Sequence, residues 1–226
     1  MIDYEKRIVI VHPPRCGGTT AESAIGGDDL FKSHPFEKHL NAREIAYHLV
    51  ACGHDPAAFR WIGLIRHPVD RAGSMFRSGH WSHLTLLPRQ SKSSLSSIQF
   101  IALLRPACHE RKNLSLSDYY NRGQVEFLPV EKLSDFLLRE YNHPPERRLE
   151  ISERKPFSPS PLFIAVVEWR FRRDFANFGY SRSRPFGVAT HMIGAVVTFL
   201  YRFLYSLAQI AKRVVHWKAL HAVARS

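Results

Sequence analysis

The chain has 226 residues, enough for one sizeable domain with a full core and too few for two ordinary ones. Its 32 Lys+Arg against 20 Asp+Glu leave a formal charge of +12, which favours polyanionic ligands, nucleic acid or an anionic membrane surface without choosing among them. Cys16, Cys52 and Cys108 are an odd number without C-x-x-C spacing, so neither a disulfide framework nor a zinc site is indicated, and the expected compartment is a reducing cytoplasm.

The opening "MIDYEKRIVI" has no apolar stretch before the first strand, so no secretory signal is expected. Ile8 to His12 form a β-branched apolar run that predicts a buried strand. Pro13 and Pro14 end it, because proline donates nothing to a sheet ladder. Gly17 and Gly18 then let the backbone approach a ligand closely, and Thr19 and Thr20 fall where a helix begins, beside amides with no intrahelical acceptor. With Arg15 two residues ahead of the glycines, this turn has the chemistry of an anion cradle. A helix is expected from Thr20 to Ile25, ended by Gly26-Gly27.

"NAREIAYHLVA" reads as a second helix. Asn41 and Glu44 make a capping-box pattern, and Ile45, Leu49 and Val50 are spaced for one apolar face. His39 stands just before this cap. "RWIGLIR", residues 60 to 66, reads as another buried strand, stopped by His67-Pro68 and followed by a helix from Val69 to Arg77. Arg66 leaves that strand and Ser74 arrives about two turns later, which makes a second candidate anion site. "HWSH", residues 80 to 83, is an isolated histidine pair, and no metal is assigned.

Residues 82 to 123 read as an exposed, substrate-side excursion, with a helix option at "SKSSLSSIQFIALL". A third core strand is expected at "QVEFLPVEKL", Ser134 is expected to cap a helix through Arg139, and one long helix is expected from Leu162 to Asn177, ended at Gly179. Strands alternating with helices predict an α/β domain whose parallel sheet is covered on both sides and binds ligands at the carboxyl ends of its strands. Both candidate anion turns, 12 to 20 and 66 to 74, fall at such ends.

On these residues the sequence resembles the sulfotransferases that use 3′-phosphoadenosine 5′-phosphosulfate (PAPS), especially their carbohydrate-type branch. That family's first motif is similar to "HPPRCGGTT" and holds the 5′-phosphosulfate. Its second is similar to "IRHPVDRAGS", in which an arginine and a serine eight positions apart, here Arg66 and Ser74, bind the 3′-phosphate. The likeness continues in "FEKHLNAREI", "FLPVEKL", "LEISERK" and "RRDFANFGY". It implies a P-loop-like three-layer fold with a central parallel sheet flanked by helices. It places Arg15, Cys16, Gly17, Gly18, Thr19 and Thr20 at the sulfate-bearing end of the nucleotide, without a metal.

The implied reaction is in-line transfer of a sulfuryl group from PAPS to an acceptor hydroxyl on a saccharide or glycolipid, with Arg15 and the loop amides stabilising the spreading charge. His39 is the candidate base, Glu37 its rival, and His12 a wall of the pocket. Two departures stand out: Arg15 replaces the usual lysine, and Glu150 stands where relatives often carry asparagine. The first raises the alternative of a catalytically weak or inactive member of the fold. A nucleotide kinase would need G-x-x-x-x-G-K-[ST], which is absent.

From Gly187 the composition shifts, dividing the chain into a domain at 1–186 and a helical tail at 187–226. Apolar runs at 192–201 and 203–211 are separated by Arg202 and followed by Lys212, Arg213 and Lys218. A packed or oligomer-forming helix, an interfacial anchor and a transmembrane span all fit. The basic end and the aromatics Phe199, Tyr201, Phe203, Tyr205 and Trp217 favour peripheral contact with the cytoplasmic face of a membrane. A basic nucleic-acid-binding protein is the reading from a different class, resting on charge alone, without a recognition-helix pattern, zinc spacing or aromatic RNP-like strand.

Overall fold

The computed structural model describes residues 1–25, 39–78, 96–103, 116–120, 124–142 and 157–223. Glu37, Cys108, Glu150 and the 80–83 histidine pair lie outside them. The β-branched and aliphatic runs pair into a four-stranded sheet in the order β1 (Ile2–Asp3), β2 (Ile8–Val11), β3 (Arg60–Ile65) and β4 (Val125–Pro129). β2, β3 and β4 run parallel, and the short β1 is antiparallel to β2 with Ile2 opposite Val9. The sheet is mixed and mostly parallel, and helices flank it, so the domain is α/β. β1 escaped the sequence reading because two residues show no periodicity.

Between and after the strands come α1 (Gly18–Ile25), α2 (Ala42–Ala51), α3 (Pro68–Ser78), α4 (Ser97–Ala102), α5 (Leu116–Tyr119), α6 (Leu133–Tyr141), α7 (Pro161–Arg170), α8 (Arg172–Asn177) and α9 (Thr190–Val223). The capping box at α2 forms as the spacing predicts: Asn41 Oδ1 accepts from the Glu44 amide at 3.0 Å, and Glu44 Oε2 accepts from the Asn41 amide at 2.9 Å. Its buried face is Ala42, Ile45 and Leu49, while Val50 is exposed, because positions three and four apart share a face and adjacent ones do not.

Buried side chains gather in two clusters. One wraps the sheet with residues of α1, α2 and α6, and the other contains no strand residue and joins α3, α4, α7 and α8. Tyr180 packs against both. Within 82–123 the described residues are 96–103 and 116–120, and there the expectation of exposure changes. Ser96 and Gln99 form a capping box that starts α4, and Phe100, Ile101 and Ala102 are buried. Tyr120 is buried too, its hydroxyl donating to the Leu64 carbonyl. The helix option at this stretch is realised, and what the Ser/Lys composition concealed is its burial.

Three further expectations change. Ser134 lies inside the first turn of α6, whose N-cap is Lys132 without a side-chain cap, because the 3₁₀ turn Val130–Lys132 leads directly into the helix. The single helix expected over 162–177 is two. Ser160 caps α7 by accepting from the Phe163 amide at 3.2 Å, and the chain breaks at Phe171, which ends α7, opens α8 and buries its ring in the second core. Finally, β4 is the sheet edge, with Glu126 and Phe127 exposed rather than in the core.

Thr190–Val223 is one continuous helix. Arg202 does not interrupt it: the side chain lies on the domain side, where Nε donates to the Ala102 carbonyl at 3.2 Å. Gly194 faces the α7 backbone so closely that a Cβ there would meet the Ala165 carbonyl and stand 2.8 Å from Trp169 Cβ. Burial pushes Arg170 down to about 10, and the neighbouring Arg202 adds to the shift.

Candidate functional site

β2 ends at Val11, which pairs with Gly63 of β3, so β3 runs two residues further and delivers Arg66 beside the turn at 13–16. The register alone thus brings the two candidate anion turns to one end of the sheet. The first turn is closed by the Cys16 amide, which donates to the Pro13 carbonyl at 3.2 Å. Cys16 therefore lends its side chain to the core and its amide to the closure of the turn.

Arg15 has φ +67° and Gly17 has φ +81°, with Cys16 between them at negative φ. Such alternation curls successive amides toward one concavity, the arrangement that cradles anions. A side chain at Gly17 would stand 2.8 Å from Leu133 Cδ2 and 2.9 Å from Val130 Cγ2, so the turn rests directly on the end of β4 and the start of α6. The first helical bond of α1 runs from the Ala21 amide to the Gly17 carbonyl. The amides of Gly18, Thr19 and Thr20 stand ahead of it, where an anion gains from both the donors and the helix dipole.

Three guanidinium groups converge on this turn. Arg15 Nε donates to Ser74 Oγ at 3.0 Å, Arg66 Nη1 donates to the Arg15 carbonyl at 3.3 Å, and Arg71 Nε donates to the Pro14 carbonyl at 3.0 Å. These three partners are neutral oxygens, and the contacts orient the guanidiniums. The structure brings Arg15, Arg66 and Ser74 to one place, with Ser74 bonded to Arg15 rather than to Arg66, the arginine with which the sequence paired it. Arg15 thus bridges straight from the first turn to Ser74 on α3.

Arg71 was not assigned a role from the sequence, yet it is the most buried of the three arginines, 2 % exposed. The signal was present: Arg71 and Ser74 are three residues apart on one helix and share a face. Tyr180 was missed as well. Its hydroxyl is buried near Cys16, and burial, then Glu131, Cys16 and Asp174, hold the phenol above its usual range. Asp174 is itself committed to α5, accepting from the Leu116 amide at 2.9 Å and from the Ser117 amide at 3.1 Å.

His39 sits beside the cradle through His12. Their rings are 5.2 Å apart, and His39 Nδ1 lies 3.1 Å from the His12 carbonyl. A carbonyl only accepts, so Nδ1 is the donor in this contact. His12 is buried at the strand end, with Nε2 3.7 Å from Glu22 Oε1, and its ring fills the space that a side chain on Gly18 would need. It walls the cradle.

Cys16 is fully buried, and burial pushes its thiol up to about 11, against the opposite pull of Arg71 and then Arg66. A thiol that stays protonated resists alkylation. At pH 8, iodoacetamide is expected to modify exposed Cys52 and to leave Cys16 unlabelled, as peptide mapping by mass spectrometry would show. Raising the pH through the unfolded value of 9 toward 11 deprotonates the unfolded chain first, so the contribution of Cys16 to stability is lost across that window.

Among the described residues, no three His, Cys, Asp or Glu side chains converge in a way that could hold a metal ion. No family model, curated protein or solved structure matches the chain.

Proposed function

We propose that the chain is a PAPS-dependent sulfotransferase of P-loop-like fold. One observation carries the reading: two turns at the carboxyl ends of adjacent parallel strands meet around Arg15, Arg66, Arg71 and Ser74. A ligand with anionic groups at two ends has chemically suitable partners for both: main-chain amides and Arg15 at the sulfate, Arg66 and Ser74 at the 3′-phosphate. The missing side chains of Gly17 and Gly18 let the turn seat directly on Leu133, Val130 and His12, which fixes where its amides stand.

The donor supplies an activated sulfuryl group whose leaving oxygen belongs to the 5′-phosphate. Transfer forms a bond from sulfur to the acceptor oxygen and breaks the bond from sulfur to the phosphate oxygen, leaving 3′,5′-phosphoadenosine. His39 Nε2 takes the acceptor proton, with the ring fixed in the required tautomer by the His12 carbonyl. Arg15 and the amides of Gly18 to Thr20 stabilise charge on the leaving and peripheral oxygens. The acceptor class suggested by the family likeness is a saccharide or glycolipid hydroxyl.

Incubation with radiolabelled PAPS and a panel of glycolipids and polysaccharides tests the proposal. Labelled acceptor and stoichiometric 3′,5′-phosphoadenosine support it. If calorimetry shows nucleotide binding without transfer, and Arg15→Lys then restores transfer, the fold is a weak or inactive member with arginine as the cause. Tight duplex or single-strand binding with a steep salt slope, and no nucleotide binding, would establish the nucleic-acid reading instead.

A further inference from the structure

The helix α9 has a buried face of small residues and, opposite it, an exposed apolar one. Thr190, Gly194 and Thr198 are buried on one, against α7, and the Thr198 hydroxyl donates to the Gly194 carbonyl at 2.7 Å. On the other, Met192, Val196, Phe199, Phe203, Leu207 and Ile210 recur every three or four residues and are exposed, Phe199 at 66 %. Phe199 and Phe203 stack on each other with centroids 6.0 Å apart. Arg202, the one Lys, Arg, Asp or Glu between Thr190 and Ala211, lies on the domain side, so the outer stripe carries no charge. A stripe of this length is far more than scattered surface apolar residues.

We infer that this outer face lies in the plane of an anionic lipid membrane, with the α/β domain held above it. The occupant is set by charge. From Phe175 to Ser226 the chain has no Asp or Glu, while Arg182, Arg184, Arg202, Lys212, Arg213, Lys218 and Arg225 are all basic. An apolar stripe followed by cations, with no compensating acid, matches acyl chains beneath an anionic headgroup layer. A second copy of the same helix would set like charges against each other, without the acid–base pairs that register helix dimers. Gly187–Ala211 has the length and composition to cross a bilayer, but a crossing would strip the inner face from α7 and the Arg202 guanidinium from the Ala102 carbonyl.

Vesicle sedimentation with the full chain tests this independently of any transferase activity. Binding is expected to vesicles of phosphatidylcholine and phosphatidylserine mixed two to one. On phosphatidylcholine alone it should be at least about tenfold weaker, and half-molar salt or alkaline carbonate should release the protein. Phe199→Ser with Phe203→Ser changes two exposed side chains, so folding is retained, checked by circular dichroism, and anionic-vesicle binding falls by about tenfold or more. Equal binding to both vesicle types, or none to either, overturns the inference. Carbonate resistance does so in favour of a span, and a dimer in lipid-free solution that the double variant dissociates does so in favour of a second copy.

Discussion

Arg66→Ala is expected to weaken binding of 3′,5′-phosphoadenosine by about 100-fold or more, since a lost hydrogen bond to a charged group costs about 1.5–3 kcal/mol and this residue makes more than one kind of contact. Its guanidinium holds the Arg15 carbonyl at 3.3 Å and, in the proposed complex, also meets the 3′-phosphate. Truncation therefore removes a ligand contact and loosens the residue that faces the other end of the nucleotide. Arg66→Lys keeps the charge and loses the fork, so a loss of about tenfold is expected, between wild type and alanine. Arg66 is only half-buried, and its tie to a carbonyl is replaceable by water, so the melting temperature should move little. Titration calorimetry on all three proteins, beside thermal melts, separates the two roles. Affinity within about threefold of wild type in the alanine variant would remove the arginine from the site, and a melting temperature that falls in step with affinity would make it a structural residue.

Much of this arrangement was legible because local chemistry and tertiary packing agree there. The run Ile8 to Val11 has no alternative to a buried strand, prolines can only end it, and a glycine at φ +81° marks a turn that other residues resist. The Asn41–Glu44 box likewise depends on residues three apart, which a sequence displays directly. Register was not legible. Nothing local states that Val11 faces Gly63, yet that pairing carries Arg66 to the 13–16 turn and sets two weak motifs side by side. Residues that matter through long-range burial were lost for the same reason: Arg71 reaches the Pro14 carbonyl across 57 positions, and Tyr180 packs between two cores that only the fold creates. The break at Phe171 is a tertiary override, since neither glycine nor proline marks it and a ring buried in the second core decides it. His39 lies between these cases. Its place before a helix cap could be read, but the tautomer that suits it to accept a proton depends on a carbonyl 27 residues away.

The cradle's backbone shape has its own test in Gly17. Gly17→Ala is expected to destabilise the fold by about 2–4 kcal/mol, the sum of a left-handed conformation forced on an L-residue, about 1 kcal/mol, and overpacking, about 1–3 kcal/mol. The overpacking is specific: the new Cβ would stand 2.8 Å from Leu133 Cδ2 and 2.9 Å from Val130 Cγ2, at the joint where β4 passes into α6. Gly53 supplies the control. It has nearly the same φ, +80°, and nothing lies within 4 Å of where its Cβ would be, so Gly53→Ala should show the conformational cost alone, about 1 kcal/mol. Urea denaturation of the two variants gives the difference directly, and adding Val130→Ala to Gly17→Ala should recover part of it by removing one of the two clashing methyls. Because the turn must shift to relieve the contact, the amides of Gly18 to Thr20 move with it, and nucleotide affinity should fall even under conditions where the variant is fully folded. Equal destabilisation at positions 17 and 53 would mean that Val130 and Leu133 do not brace the turn. A folded Gly17→Ala protein with wild-type nucleotide affinity would mean that the cradle's curvature is irrelevant to the ligand.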